Sequence, residues 1–127
     1  MSSSDAKSWD AQVYAPATIG NVGPGFDVLG LAVAGLGDVA RLRLRKDGVR
    51  QMEVKGQHAA QLSTDTARNA CAIAAEAYLQ SAGHSGGYDL LLEKSVPLSG
   101  GLGGSAASSV AGAFAAATAL GKSETWK

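Results

Sequence analysis

The sequence predicts an α+β fold in which mainly antiparallel strands carry helices on one face. Three observations lead to this prediction. Strand-like segments dominate the first half, an alanine-rich helical segment follows at about 67–82, and a second one closes the chain at 106–120. One more strand-like run lies between the two helices. With 127 residues, the chain is long enough for a single domain with a hydrophobic core.

The first strands are recognised by alternating apolar and polar residues. Residues 9–15 alternate loosely and predict a first strand, which Pro16 is expected to stop. A glycine-dense loop follows at 17–25. Apolar character resumes at 26–34, and 39–45 give the clearest strand pattern in the sequence.

A turn and a returning strand are expected next. Asp47-Gly48 is a strong hairpin signal, so residues 49–54 are predicted to pair antiparallel with the strand at 39–45.

The second half predicts a helix, a strand and a helix. Good N-cap residues at 64–66 precede the helical segment 67–82, and Gly83 is expected to end it. A strand follows at 87–93. The last helix is apolar on nearly every side, so it needs cover on most of its surface.

The composition excludes several classes of protein. Eleven basic side chains balance eleven acidic ones, which argues against nucleic-acid and membrane partners. The single cysteine, Cys71, excludes an intrachain disulfide and is expected to be a small buried side chain. Residues 1–8 are polar and resemble no targeting peptide, and 106–120 is too short to span a bilayer. A cytoplasmic location is therefore expected.

The most informative segment is the glycine-rich run Pro97-Leu98-Ser99-Gly100-Gly101-Leu102-Gly103-Gly104-Ser105-Ala106-Ala107. It connects a predicted strand to a predicted helix. Glycines let the backbone approach a ligand closely, and a helix N-terminus offers free N–H groups and a positive dipole end. The segment is therefore predicted to cradle phosphate.

Three known kinds of glycine-rich loop are possible interpretations of this segment. A Walker loop is excluded because no lysine follows the glycines. Gly101, Gly103 and Ala106 fit the dinucleotide fingerprint formally, but no second strand with an acidic residue follows. The third kind has the form Pro-x-x-x-Gly-Leu-Gly-Gly/Ser-Ser-Ala-Ala/Ser, which the sequence matches at every position.

This third pattern resembles the ATP loop of the GHMP kinases, the superfamily of galactokinase, homoserine kinase and mevalonate kinase. The resemblance implies that ATP and Mg²⁺ are the cofactors. It assigns Ser105 to the metal, with a further ligand beyond residue 127. The implied phosphate-binding residues are Pro97, Ser99, Gly100, Gly101, Leu102, Gly103, Gly104, Ser105, Ala106 and Ala107.

A second motif at 15–30, Ala-Pro-Ala-Thr-Ile-Gly-Asn-Val-Gly-Pro-Gly-Phe-Asp-Val-Leu-Gly, resembles the homoserine kinase version of the family's N-terminal segment. It implies that Asn21 and Asp27 bind substrate, with Asp27 pairing with an ammonium group. The same resemblance places Asn69 and Lys94 near the adenine and ribose.

The resemblance covers about residues 13–120. It implies a ribosomal-protein-S5 domain-2-like fold over 1–127, a truncated N-terminal domain without the C-terminal GHMP domain. The implied activity is phosphorylation of L-homoserine by ATP, in threonine biosynthesis. No catalytic residue is assigned, and the short chain alone is expected to be inactive. Two alternatives stay open: another small-molecule GHMP kinase, or a non-catalytic fragment that binds nucleotide or associates through the alanine-rich helix, for example as a homodimer.

Overall fold

The computed structural model describes residues 9–19, 31–97 and 103–121. A short 3₁₀-helix, Ala59–Gln61, follows the third strand. None of the described helices is long and apolar enough to cross a membrane. In chain order, the strands and α-helices are β1 (Ala11–Ile19), β2 (Leu31–Leu44), β3 (Arg50–Lys55), α1 (Ala70–Ser81), β4 (Tyr88–Glu93) and α2 (Gly104–Ala119).

The four strands form one sheet in the order β1-β2-β4-β3. The pairs β1–β2 and β2–β4 are antiparallel, whereas β3 and β4 are parallel and are connected through α1. One hydrophobic core joins residues of both helices to one face of the sheet. The predicted α+β class, with mainly antiparallel strands and helices on one face, is confirmed.

The predicted hairpin is wrong, because β4 lies between β2 and β3. At the turn end, the Arg45 amide donates to Gly87 O (3.0 Å) and the Tyr88 amide donates to Val49 O (3.0 Å). A side chain at Gly87 would collide with the Val49 backbone, so glycine permits this insertion. The physical reason is burial: five of the six β4 residues are buried, and a position between β2 and β3 covers this strand on both edges.

The expected stop at Pro16 is also wrong. β1 continues to Ile19, with a register shift between Pro16 and Ala17. Because β1 is an edge strand, a proline without an N–H is tolerated there. The separate apolar segments predicted at 26–34 and 39–45 belong, from Leu31 onward, to the single strand β2.

Both helices form close to their predicted positions. The α1 helix begins three residues later than expected, because Asp65 first closes a turn by accepting from the Ala67 amide (2.9 Å). Asn69 then caps α1, and Gly83, at φ 85°, follows its end as predicted. Cys71 is fully buried, as expected, and this burial raises the pKa of its thiol to about 12.

Candidate functional site

The start of α2 presents backbone donors at the protein surface. Gly103 adopts the left-handed conformation (φ 68°, ψ 40°), and the Ala107 amide donates to its carbonyl (2.8 Å) in the first turn. The preceding amides of the helix have no acceptor within it. The side chains of Ser105 and Ala106 are exposed. The positive end of the helix is therefore accessible to an anion.

A cavity of about 230 Å³ lies between this helix start and the beginning of α1. Asn69 of the α1 cap lines it opposite Ser105 and Ser108 of α2. The Asn69 side chain accepts from the Cys71 amide (2.9 Å) and donates to Ser63 O (2.9 Å), which fixes its orientation. Asn69 and Ser105, which the sequence analysis assigned to opposite ends of a nucleotide, thus line one cavity. Arg68 lines it as well, and its role was not predicted.

The two sequence motifs meet at Gly103. A Cβ built on this residue would overlap the Thr18 hydroxyl, so the end of β1 packs against the start of α2. Asn21 and Asp27 follow Thr18 in sequence but lie outside the described residues. The glycine at 103 is therefore needed for its backbone conformation and for the approach of Thr18.

The side chain of Lys94 is buried inside the protein and does not line the cavity. Its Nζ lies 2.7 Å from Asp38 Oδ2 and donates to Gly104 O at 2.8 Å. The ammonium is fully enclosed by these partners, as is Asp38 itself. The structure thus gives this ammonium internal partners, and its placement near the adenine and ribose stays a prediction.

Asp38 and Ser108 are the site residues that the sequence analysis missed. The Ser108 hydroxyl donates to Asp38 Oδ2 (3.0 Å), so the cavity wall is connected to the buried ion pair. A signal was present in the sequence. Asp38 occurs in phase with Ala40 and Leu42, which face the core, so alternation places a charge on the apolar side of β2.

A larger cavity of about 590 Å³ lies beside β3 and β4, where Trp9, Arg50 and Asp89 are among its lining residues. None of the residues that the sequence analysis assigned to a site lines it. The smaller cavity is the better candidate because it adjoins the helix start and both Asn69 and Ser105.

Comparison with known proteins identifies a family model over the part of the chain that holds this site. The profile described as "GHMP kinases N terminal domain" matches residues 65–126, which include the α1 cap and the glycine-rich segment. The chain belongs to the GHMP kinase family. Its fold is that of the family's N-terminal domain.

Curated homoserine kinases are similar to this GHMP kinase chain. The Pyrococcus abyssi protein is 42% identical over 110 residues, covering 87% of this chain and 35% of the relative. The Arabidopsis thaliana protein is 45% identical over 95 residues, covering 71% of this chain and 25% of the relative. The chain thus spans about a third of the first relative and a quarter of the second.

A solved structure gives the same result. The crystal structure of homoserine kinase from Cytophaga hutchinsonii superimposes on this GHMP kinase chain with a TM-score of 0.80 and 40% identity. The match covers 88% of this chain and 36% of that structure.

The predicted phosphate-binding residues are only partly described. The residues within the described part of the chain are Pro97, Gly103, Gly104, Ser105, Ala106 and Ala107. Ser99, Gly100, Gly101 and Leu102 lie outside the described residues, like Asn21 and Asp27. The described part of the candidate site is therefore the helix start, the α1 cap and the cavity between them.

Proposed function

We propose that this chain is the N-terminal part of a homoserine kinase, in which it forms the ATP-binding domain. The reaction transfers the γ-phosphoryl group of ATP to the side-chain hydroxyl of L-homoserine. The products are ADP and O-phospho-L-homoserine, an intermediate of threonine biosynthesis. The chain spans about a third of the Pyrococcus abyssi homoserine kinase, so the proposed activity is that of the complete enzyme.

One observation carries the proposal: Asn69 and Ser105, from distant parts of the sequence, line one cavity at an exposed helix N-terminus. In a kinase without a loop lysine, phosphate charge is balanced by backbone amides, the helix dipole and a metal ion. The proposed phosphate-binding segment is Pro97–Ala107, with the first-turn amides of α2 facing the triphosphate. Asn69 then lies toward the adenine and ribose end.

The proposed substrate site adjoins this cavity at the end of β1. Thr18 touches Gly103, and Asn21 and Asp27 follow it within the same sequence motif. Homoserine carries an ammonium, a carboxylate and the acceptor hydroxyl. A carboxylate such as Asp27 forms charge-assisted hydrogen bonds with an ammonium, and Asn21 offers both a donor and an acceptor.

Magnesium is proposed to bind with ATP, with the exposed Ser105 hydroxyl as one protein ligand. Magnesium is usually held by one or two protein oxygens together with substrate phosphates and water. Within residues 9–19, 31–97 and 103–121, no cluster of three or more His, Cys, Asp or Glu forms a metal site. The serine fits a metal that ATP carries into the site, where it would neutralise charge on the transferred phosphoryl group.

We further propose a cytoplasmic enzyme whose partners are ATP and homoserine, without nucleic acid or membrane. A homodimer is proposed for the complete enzyme. Size-exclusion chromatography with light scattering tests this state, and a monomeric mass contradicts it.

An acceptor assay tests the proposed activity in the longest natural chain that contains this sequence. The enzyme is given ATP, Mg²⁺ and homoserine, mevalonate or galactose, and the phosphorylated product is identified by ³¹P NMR. We expect phosphorylation of homoserine alone. Asp27→Asn should raise the KM for homoserine at least tenfold with an unchanged KM for ATP, because only the ammonium loses its partner. Preferential phosphorylation of mevalonate or galactose would contradict the proposal.

A further inference from the structure

The carboxylate of Asp38 joins the end of β4 to the start of α2, on the two sides of the glycine-rich segment. We propose that Asp38 is a positioning residue for nucleotide binding: it fixes where the first turn of α2 lies relative to the sheet. The proposal rests on the proposed function, because it takes the nucleotide to bind at that turn.

The first half of the connection is made to the backbone after β4. Asp38 Oδ1 accepts from the Ser95 amide at 2.9 Å and from the Val96 amide at 3.0 Å. These two residues leave the sheet and lead to Pro97, where the phosphate-binding motif begins. One carboxylate oxygen thus sets the direction in which the chain enters the motif.

The second half of the connection is made to α2. Asp38 Oδ2 accepts from the Ser108 hydroxyl at 3.0 Å and from Lys94 Nζ at 2.7 Å. The same ammonium donates to Gly104 O at 2.8 Å. The first residue of α2 and a residue one turn later are therefore both tied to Asp38, one through Lys94 and one directly.

These contacts place the charged side chains of Asp38 and Lys94 in the core, where apolar side chains would be enough for packing. Asp38 and Lys94 are fully buried, and Ser108 is nearly so. A buried ion pair adds little net stability compared with an apolar pair, so its presence is better explained by the geometry that it specifies. Here the specified geometry is that of Gly104 and Ser108, between which Ser105 faces the cavity.

The position of the first turn of α2 should determine how tightly the nucleotide binds. A shift of about 1 Å in groups that hold a substrate can change a rate a hundredfold. Without Asp38, the contact to Ser108 and the contacts to the Ser95 and Val96 amides are lost, and the Lys94 ammonium that still reaches Gly104 O is left without its counter-charge. ATP affinity should then fall more than homoserine affinity, because the contacts of Asp38 lie on the two sides of the proposed phosphate-binding segment.

The test compares three variants in the longest natural chain that contains this sequence. Asp38→Asn keeps the acceptor for the Ser95 and Val96 amides but faces Lys94 with an amide. The double variant Asp38→Asn with Lys94→Met removes the ammonium that would otherwise be buried without a counter-charge. It should therefore fold more readily than the single variant Asp38→Asn. Leu79→Ala is the matched control, because it opens the core at the far end of α1 and touches neither motif.

Three quantities are measured well below each melting temperature: the Kd of the β,γ-imido analogue of ATP with Mg²⁺, the KM for homoserine, and the Tm. We expect both Asp38 variants to raise the Kd at least tenfold and to change the KM for homoserine less than threefold. The control should lower the Tm without moving the Kd.

An unchanged Kd in the double variant, with a lowered Tm, would overturn the proposal and leave Asp38 a purely stabilising residue. If the unsubstituted enzyme binds the analogue but does not phosphorylate homoserine, the proposed function fails, and the Kd values still decide the role of Asp38. If the unsubstituted enzyme does not bind the analogue, both proposals are wrong.

Discussion

Arg68 is an exposed cation at the rim of the candidate nucleotide cavity, one residue before the Asn69 cap. Its side chain is 80% exposed, and its guanidinium lies 3.7 Å from Asp65 in a pair three residues apart. Such an exposed pair contributes little to stability, about 0–1 kcal/mol. The guanidinium can therefore reorient toward a polyphosphate at low cost.

Replacing Arg68 by Met should weaken ATP binding in the complete enzyme. Loss of one exposed charged contact is worth ~1 kcal/mol, which corresponds to a rise in the KM for ATP of about fivefold. Lys46→Met is the control, because it removes the same charge from the exposed turn between β2 and β3. Steady-state kinetics at low ionic strength measure both variants. Equal KM values for the two would show that Arg68 does not contact the nucleotide.

At the scale of elements, the sequence predicts where strands and helices occur better than how the strands are ordered. Alternation and alanine content located β3, α1, β4 and α2 to within a few residues. The Asp47-Gly48 turn signal is local, whereas the insertion of β4 depends on burying a strand that is distant in sequence. Hydrophobicity alone could have favoured a central position for β4, but no local pattern specifies its neighbours.

The candidate site was predictable to the extent that a motif carries it. The glycine pattern placed Ser105 at a helix N-terminus, and the resemblance placed Asn69 at the other end of the nucleotide. The pair of Asp38 and Lys94 was not predicted, because the two residues come together only when β2 and β4 are neighbours in the sheet. Lys94 directly follows the charged end of β4, so the sequence favoured an exposed ammonium.

The two helices are held together by a close contact at Gly112. A Cβ on Gly112 would overlap the carbonyl of Cys71 on α1. Both residues are fully or nearly fully buried, so the α1 backbone passes directly over this point of α2. This approach requires a glycine in the middle of α2, although glycine weakens an isolated helix by about 1 kcal/mol relative to alanine.

Gly112→Ala should therefore destabilise the protein. Because the added Cβ would overlap a backbone oxygen, the overpacking cost is expected at the upper end of its range, about 3 kcal/mol. The gain in helix propensity offsets about 1 kcal/mol, so a net loss of about 2 kcal/mol is expected. Gly48→Ala is the control, because its Cβ would meet open space in the turn. Urea unfolding measures both free energies. A stability equal to or above that of the unsubstituted protein would contradict the close helix contact.

Across the described residues, ion pairs line the face of the sheet opposite the helices, whereas the helix face holds the buried pair of Asp38 and Lys94. Arg41 pairs with Glu93 on the face opposite the helices, and Arg43 and Arg45 both pair with Asp89. Leu91, which alternates with Asp89 and Glu93 on this face, is buried. On the helix face, the groups with raised pKa values are neutral at pH 7, namely the thiol of Cys71 and the phenol of Tyr88.

This arrangement predicts that the protein loses stability at alkaline pH. Burial raises the pKa of Cys71 to about 12, and burial together with Glu76 raises the pKa of Tyr88 to about 12. The ordinary values are 9.0 and 10.0, so above pH 9 the unfolded chain releases protons that the folded protein retains. The free energy of unfolding should fall with a slope of about 1.4 kcal/mol per pH unit for each such group. The stabilisation is complete below pH 9 and is lost as the pH approaches 12.

Urea unfolding at pH 8, 9, 10 and 11 measures this slope. The double variant Cys71→Ala with Tyr88→Phe should show a smaller slope, because it lacks both titrating groups. Equal slopes in the two proteins would mean that other groups cause the alkaline loss.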